Sequence, residues 1–300
     1  MNNKSSKESA NLTTPGRGQA FYQPNPSLKH RAFIGLLRLF ERTVRLVSDD
    51  LYFKIAASLL TEINCVMEFP TKAGPIFMRS PSETARIRAK RAPTREIETL
   101  EWIENFENDD VLWDIGSNVG VFTLYAAKVA GVKVVALELL PWNYAMLISN
   151  LTLNGLHDKV SAFCLGITDR IASVSVNIPL TADTWGGAGG QMNSDYDGFG
   201  HPVKTLYNMT ALGFTVDGFA KLNGVPFPNH IKMDIDGNED KMLAGAKETL
   251  ADPRIKSLMF EFQPLNSERM IKEVEALGFK LVSTIFPNHF FVRLTGRSGR

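Results

Sequence analysis

The chain has 300 residues, 44% of them apolar, two cysteines and a formal net charge of +1. A chain of this size buries a core without disulfides or a structural metal, and the 99-residue separation of Cys65 and Cys164 fits no zinc finger or CxxC redox pair. Charge is distributed unevenly: residues 1–100 hold 16 Lys and Arg against 9 Asp and Glu, or +7, and the remainder holds 17 against 23, or −6. No apolar run reaches the roughly 18 residues that span a bilayer, and the first twenty residues contain no signal-peptide core, so a reducing, cytoplasmic location is expected.

Residues 1–27 are rich in Ser, Asn, Gly and Pro and read as a disordered tail. From Phe33 the apolar positions Phe33, Leu36, Leu37, Phe40, Val44 and Val47 recur at helical spacing, with Arg31, Arg38, Arg42 and Arg45 on the other side. Such a helix can lie on an anionic membrane, so peripheral contact through 31–47 is one reading; the commoner role is to cover an adjoining domain. A second helix follows at about 51–63. Between 79 and 95, Arg79, Arg86, Arg88, Lys90, Arg91 and Arg95 face Glu83 alone, which suits a solvated face or, more sharply, a phosphate-bearing partner. Pro93 and Thr94 are expected to open a helix with Ile97, Leu100 and Ile103 on one side. Residues 28–108 thus read as a helical, basic N-terminal extension.

The pattern becomes α/β from about residue 109 to the end. Apolar strands at 111–116, 132–138 and 160–167 alternate with helices closed by Gly131 and Gly155, the periodicity of a parallel sheet covered on both faces. The alternation pauses at 171–215, where an exposed strand leads into a glycine-rich insertion, 181–202, carrying Trp185, Tyr196 and Phe199. A short helix at 216–222 follows. Strands at 230–236 and 257–263 then alternate with helices at 238–250 and 267–277, and a short PNH turn joins two last strands as an antiparallel hairpin.

Ligands of open α/β sheets bind beyond the carboxyl ends of the strands. There the chain places Asp114, Gly116, Ser117, Asn118 and Gly120 between a strand and a helix, and Glu138 ends the next strand 18 residues later, where a carboxylate can hold a ribose. Asn118 replaces the second glycine of a dinucleotide fingerprint, no phosphate-loop motif occurs, and Asp114 would repel a pyrophosphate. A ligand with an adenosine, an amino-acid moiety and a positive centre fits better, as in S-adenosyl-L-methionine. On the next strands, Lys232, Asp234 and Asp236 share one side, with Glu239 and Glu261 near. Clustered carboxylates must shift their pKa values, pair with Lys232 or share a cation, and an all-oxygen shell favours Mg²⁺ or another hard divalent ion. The alternative is that Asp236 and Glu239 serve the following helix N-terminus, with Lys232 as their ion-pair partner.

Five segments in order, DIGSNVG (114–120), ELLPWNYAMLISNLTLNG (138–155), FTVDGF (214–219), IKMDIDGNEDKMLAGA (231–246) and MFEFQP (259–264), resemble the FkbM-type methyltransferases. The resemblance covers 111–294 and implies a Rossmann-like, doubly wound, mostly parallel seven-stranded sheet. It implies that Gly116, Ser117, Asn118 and Gly120 cradle the methionine part of the cofactor, that Glu138 holds the ribose beside Leu139, and that Gly166, Thr168 and Asp169 border the adenine. Leu139 stands where the family often has proline, Asp236 where it usually has glutamate and Asn238 where it usually has alanine. The expected activity is O-methylation of a hydroxyl on a sugar, glycoconjugate or polyketide-like small molecule, with the acceptor beneath Trp185, Tyr196 and Phe199. Asp234, Lys232 and Glu261 form the expected catalytic group, and Asp234, Asp236, Glu239 and Glu261 the expected ligands of any cation. His201 and His289 sit in loops that could close the pocket, and His230 starts its strand too far back to serve. A nucleic-acid methyltransferase using 79–95 is the first alternative, weakened because no [DN]-P-P-[FYW] motif follows the fourth strand; a non-catalytic binding module is the second.

Overall fold

The computed structural model describes residues 28–62, 65–197, 200–263 and 266–294; the expected tail 1–27 and Phe199 lie outside them. The extension begins with α1 (Leu28–Val47) and α2 (Asp49–Glu62), joined by the Arg45 guanidinium 4.1 Å from the centre of the Tyr52 ring. Phe33, Leu36, Leu37 and Phe40 remain exposed, so this apolar face covers no domain among the described residues. The extension is not wholly helical. Strands β1 (Val66–Phe69) and β2 (Ile76–Arg79) form an antiparallel hairpin that the sequence reading missed. Phe69, Ile76 and Met78 point into the core. The free edge of the hairpin is satisfied by amide side chains: Phe77 N donates to Asn154 Oδ1 at 2.9 Å and Arg79 N to Asn150 Oδ1 at 2.8 Å. Helix α3 (Glu83–Arg95) then runs across position 93 rather than starting there, and α4 (Ile97–Glu104) follows a break at Glu96.

The remaining elements, in chain order, are β3 (Val111–Ile115), α5 (Val121–Tyr125) continued by a π-helical turn at Ala126–Ala130, β4 (Lys133–Glu138), α6 (Pro141–Asn154) and β5 (Val160–Cys164). Next come β6 (Gly166–Ile167), β7 (Ala172–Pro179), β8 (Gln191–Met192), β9 (Thr205–Phe214), α7 (Val216–Ala220) and β10 (His230–Met233). The chain closes with α8 (Glu239–Ala244), α9 (Lys247–Ala251), β11 (Ser257–Glu261), α10 (Ser267–Ala276), β12 (Phe279–Ile285) and β13 (Asn288–Arg293).

Seven strands form the main sheet in the order β5-β4-β3-β10-β11-β13-β12, parallel except for β13, which runs antiparallel to both β11 and β12. The expected architecture is present. Alternation sends Leu112, Val134 and Ala136 to one face, where they pack with Ile103, Leu124 and Leu147, and Trp113, Val135 and Leu137 to the other, against Phe219, Leu243 and Val274. Helices α3 and α4 of the extension, through Ala89, Leu100 and Ile103, therefore belong to one of the two layers that bury the sheet.

Between β5 and α7 the chain builds a second sheet, β6-β9-β7-β8, over its own small core of Leu140, Val174, Val176, Ile178, Ala182 and Met192. The expected third strand, 160–167, divides at Leu165 because its last two residues switch into this sheet. β9 was not anticipated: its side chains are mostly solvent-facing, which removes the apolar alternation that marks a strand. The helix expected at 238–250 is two short ones interrupted at Gly245. No described helix is long and apolar enough to cross a membrane.

Candidate functional site

Strand order reverses between β3 and β10, and the turns leaving their carboxyl ends part there to open a cavity. Its volume is about 630 Å³ including the mouth, within the range of small-molecule sites. The turn after β3 forms one wall. Gly116 has φ +82°, and a Cβ there would lie 1.8 Å from the Asp234 carbonyl oxygen, so only glycine lets the two turns approach. Asn118 adopts φ +50°, a left-handed conformation uncommon for non-glycine residues, and its backbone N–H then points at Glu138.

Glu138 is buried at the end of β4. Its Oε2 accepts from Asn118 N at 2.7 Å and its Oε1 from Leu140 N at 2.8 Å, which fixes the carboxylate while leaving lone pairs for a ligand. Burial pushes its pKa up to about 7, against the backbone hydrogen bonds that lower it. Leu139, Leu165, Gly166 and Ile167 make an apolar slot beyond it. Thr168 and Asp169, expected beside an adenine, line neither described cavity; Thr168 is buried with its hydroxyl on Asp169 Oδ1 at 3.2 Å, and Asp169 faces solvent. Gly120 does not line the cavities either: it starts α5 and packs where a Cβ would meet Leu147 at 2.4 Å.

The glycine-rich insertion forms the cover. Gly187 O accepts from Asn118 Nδ2 and Asn143 Nδ2, both at 2.9 Å; Gly186 N donates to Asn143 Oδ1 at 2.8 Å, and Gly189 N to Asp236 Oδ2 at 3.0 Å. A Cβ on Gly187 would lie 2.6 Å from Thr181 O, so this main chain can fold tightly over the cavity. Of the aromatic residues expected to shape an acceptor pocket, the two that are described do not line the cavities: Trp185 is 44% and Tyr196 57% exposed.

Asp114 and Lys232 are register partners on β3 and β10. Asp114 is fully buried, with Oδ2 accepting from the Thr123 hydroxyl at 2.6 Å and Oδ1 lying 3.4 Å from Lys232 Nζ, so it faces an internal cation rather than a ligand. Lys232 Nζ is also 3.7 Å from Asp234 Oδ2. Burial pulls the lysine pKa down, but Asp114 and Asp234 outweigh it and carry the value above that of an ordinary lysine. Asp234 lines both this cavity and a smaller neighbouring one. Carboxylate oxygens of Asp234, Asp236 and Glu261 lie within 4.8 Å of one another. The charge on Asp234, followed by burial, raises Glu261 to about 9; burial, then Asp234, raises Asp236. Glu239 stands apart from that trio: it turns back to accept from Gly237 N at 2.7 Å, and burial raises it to about 7.

The histidines are elsewhere. His230 is buried between Asp110 at 2.9 Å and the Ser257 hydroxyl at 2.7 Å, stacked on Phe106. His289 is buried against Phe262, and His201 lies exposed beside Asp197. The basic run 79–95 does not present a single outward stripe either. Arg86 pairs with Glu83 at 2.6 Å, and Arg88 turns into the site, its Nε donating to Gly186 O at 3.2 Å. Arg88 and Glu96 both line the smaller cavity and were not among the expected site residues. Arg88 was visible as one charge in the run, but nothing in a single sequence says which charge of a helix turns inward.

The family model described as the methyltransferase FkbM domain matches residues 114–281. The chain is similar to the hexuronic acid methyltransferase AglP of Haloferax volcanii, at 28% identity over 185 residues that cover 62% of this chain and 69% of AglP. Among solved structures it is similar to a precorrin-6y C5,15-methyltransferase from Geobacter metallireducens, with 12% identity, TM-score 0.40, and 67% of this chain and 87% of that one covered. It is also similar to the METTL16 methyltransferase domain, with 11% identity, TM-score 0.42, and coverage of 79% and 90%.

Proposed function

The chain belongs to the methyltransferase FkbM domain family and is an S-adenosylmethionine-dependent methyltransferase, and from that premise we propose that it methylates a hydroxyl of a sugar of the hexuronic acid class. The supporting observation is the position of Asp234, a partly open carboxylate lining both cavities at the mouth between β3 and β10. The name of AglP supports the acceptor class.

The cavity suits the cofactor. Glu138 offers acceptors to the two ribose hydroxyls, the slot at Leu139 and Leu165–Ile167 takes a flat ring, and the cluster of acids favours a cationic sulfur. When bound, the cofactor supplies a methyl group on that sulfur, which keeps the C–S electron pair and becomes a thioether as the acceptor oxygen takes the carbon. Asp234 is the base that receives the hydroxyl proton. Glu261, protonated at neutral pH because Asp234 lies beside it, relieves the repulsion within the trio, and Lys232 holds Asp234 in place. The cover 186–190 keeps water off the reacting atoms.

A second reading is favoured by the spacing of the trio: a hard divalent cation on Asp234, Asp236 and Glu261 would acidify the acceptor hydroxyl in place of a protein base. The test of the leading reading is methyl transfer from labelled cofactor to glycans ending in a hexuronic acid or in the matching neutral hexose. Uronate-dependent transfer that Asp234→Asn reduces about 10²- to 10⁴-fold, with cofactor affinity kept, is expected. Equal transfer to both glycans, transfer to neither, or an undiminished variant refutes it.

A further inference from the structure

The smaller cavity shares Asp234 and Lys232 with the chemistry above, but its other charged residues, Arg88 and Glu96, have no part in it. It measures about 370 Å³ with its mouth and adjoins the larger one, sharing Arg88, Gly116, Asn118 and Asp234 with it. Its floor is the turn after β3 with Phe122, and its polar rim is Arg88, Glu96, Lys232 and Asp234. The charges on that rim are not equally available. Lys232 is committed to Asp114 and Asp234. Arg88 is held by its Nε on Gly186 O, and among the described residues neither of its terminal nitrogens has a partner. Glu96 sits at the break between α3 and α4, where its side chain caps nothing, and burial raises its pKa.

A pocket that offers one unpaired guanidinium beside two carboxylates is matched by a zwitterion. A phosphate or a lone carboxylate would satisfy Arg88 but lie against Glu96 and Asp234, and a neutral sugar would leave all three desolvated without a counter-charge. An α-amino acid satisfies both signs at once. The two cavities share Arg88, Gly116, Asn118 and Asp234 as lining, so one ligand can reach from the apolar slot of the larger to the charged rim of the smaller.

We propose that Arg88 and Glu96, both supplied by the N-terminal extension outside the matched domain, clamp the amino-acid end of S-adenosylmethionine, the guanidinium on its carboxylate and Glu96 beside its ammonium. This rests on the cofactor reading above. Arginine suits the position because its planar fork meets a carboxylate through two parallel hydrogen bonds, which lysine cannot do. The extension is then a functional part of the cofactor site, and α3 both closes the pocket and carries its cation.

The test is calorimetry of the full chain with S-adenosylmethionine and with its decarboxylated analogue, which keeps the ammonium. Wild type should bind the analogue about 10- to 100-fold more weakly. Arg88→Ala should lose a similar factor for S-adenosylmethionine and almost nothing for the analogue, Arg88→Lys should recover part of that loss, and Glu96→Gln should weaken both ligands. Circular dichroism establishes that the variants are folded. Independent, additive losses overturn the proposal. So does an Arg88→Ala variant that binds S-adenosylmethionine normally but shows a raised KM for uronate acceptors alone, since that gives Arg88 to the acceptor. If wild type binds no S-adenosylmethionine, the cofactor reading itself fails, a result distinct from additive losses.

Discussion

Replacing Lys232 by methionine keeps most of the side-chain stem and deletes the ammonium, which separates a structural from a chemical role for this residue. Asp114, its register partner, is fully buried, and its Oδ1 has no hydrogen-bond partner beyond the ammonium 3.4 Å away. Without Lys232 that carboxylate must stay charged with no counter-ion or take up a proton. Breaking a buried pair from one side costs about 3–5 kcal/mol. At about 2–4 °C per kcal/mol for a domain of this size, Tm should fall by about 6–20 °C. The loss should shrink in Asp114→Asn/Lys232→Met, because the stranded charge is removed with its partner, and the double-mutant cycle reads that coupling. The sign with pH follows from the direction of the shift. The lysine pKa is raised above 10.5 in the folded protein, so its contribution is fully present below 10.5 and is lost as pH rises through the folded value. The gap between wild type and Lys232→Met should therefore stay constant across neutral pH and close only in strong alkali. Urea unfolding of the three variants checks this. A single variant within about 1 kcal/mol of wild type, or a gap that closes near neutrality, would refute the reasoning.

Two further outcomes concern the cavity. Burial raises Glu138 to about 7, so its contribution to stability is fully present below the ordinary value of 4.5 and is lost as pH rises through about 7. Cofactor affinity should run the other way, tightening as pH passes up through about 7 and the ionised carboxylate gains an acceptor site; calorimetry should show that trend in wild type and a flat profile in Glu138→Gln. Exhaustive chelation should leave turnover unchanged if protons and Lys232 neutralise the trio, whereas a loss that Mg²⁺ restores assigns a cation to Asp234, Asp236 and Glu261.

The main sheet was legible because its inner strands are mostly apolar and the helices after β3 and β4 end at glycines with left-handed backbone, Gly131 and Gly155. The hairpin β1–β2 was not, since its burial depends on Asn150 and Asn154, more than seventy residues away in sequence. β9 escaped because its side chains mostly face water, so its pairing with β7 and β6 leaves no apolar alternation in the sequence. At the site, strand parity put Lys232 and Asp234 on one side, and their charged groups lie 3.7 Å apart, yet it could not say that Asp114 on the neighbouring strand would be consumed by pairing with Lys232 instead of meeting a ligand. The trio of carboxylates was visible from spacing along two neighbouring strands. That Glu239 would turn back onto Gly237 depends on the backbone beyond β10, where Asp236 takes φ +50°.

The same limit explains the charge asymmetry of the chain. A site for a cationic sulfur is served by acids, and the body beyond residue 100 carries the excess of them, −6 in all. An all-acidic site would nevertheless repel the carboxylate on the same cofactor, so one cation must enter without neutralising the acids near the sulfur. Lys232 cannot supply it, being held between Asp114 and Asp234. Placing it on a separate layer solves the problem geometrically: α3 brings Arg88 in from the side of the cover, near enough to Gly186 to be fixed yet paired to no described carboxylate. The remaining charges of the run, Lys90, Arg91 and Arg95, then stay at the surface at little cost. On this view Arg88→Ala in the full chain should cost cofactor affinity, read by calorimetry, before it alters acceptor choice, because what is removed is the counter-charge for the amino-acid end.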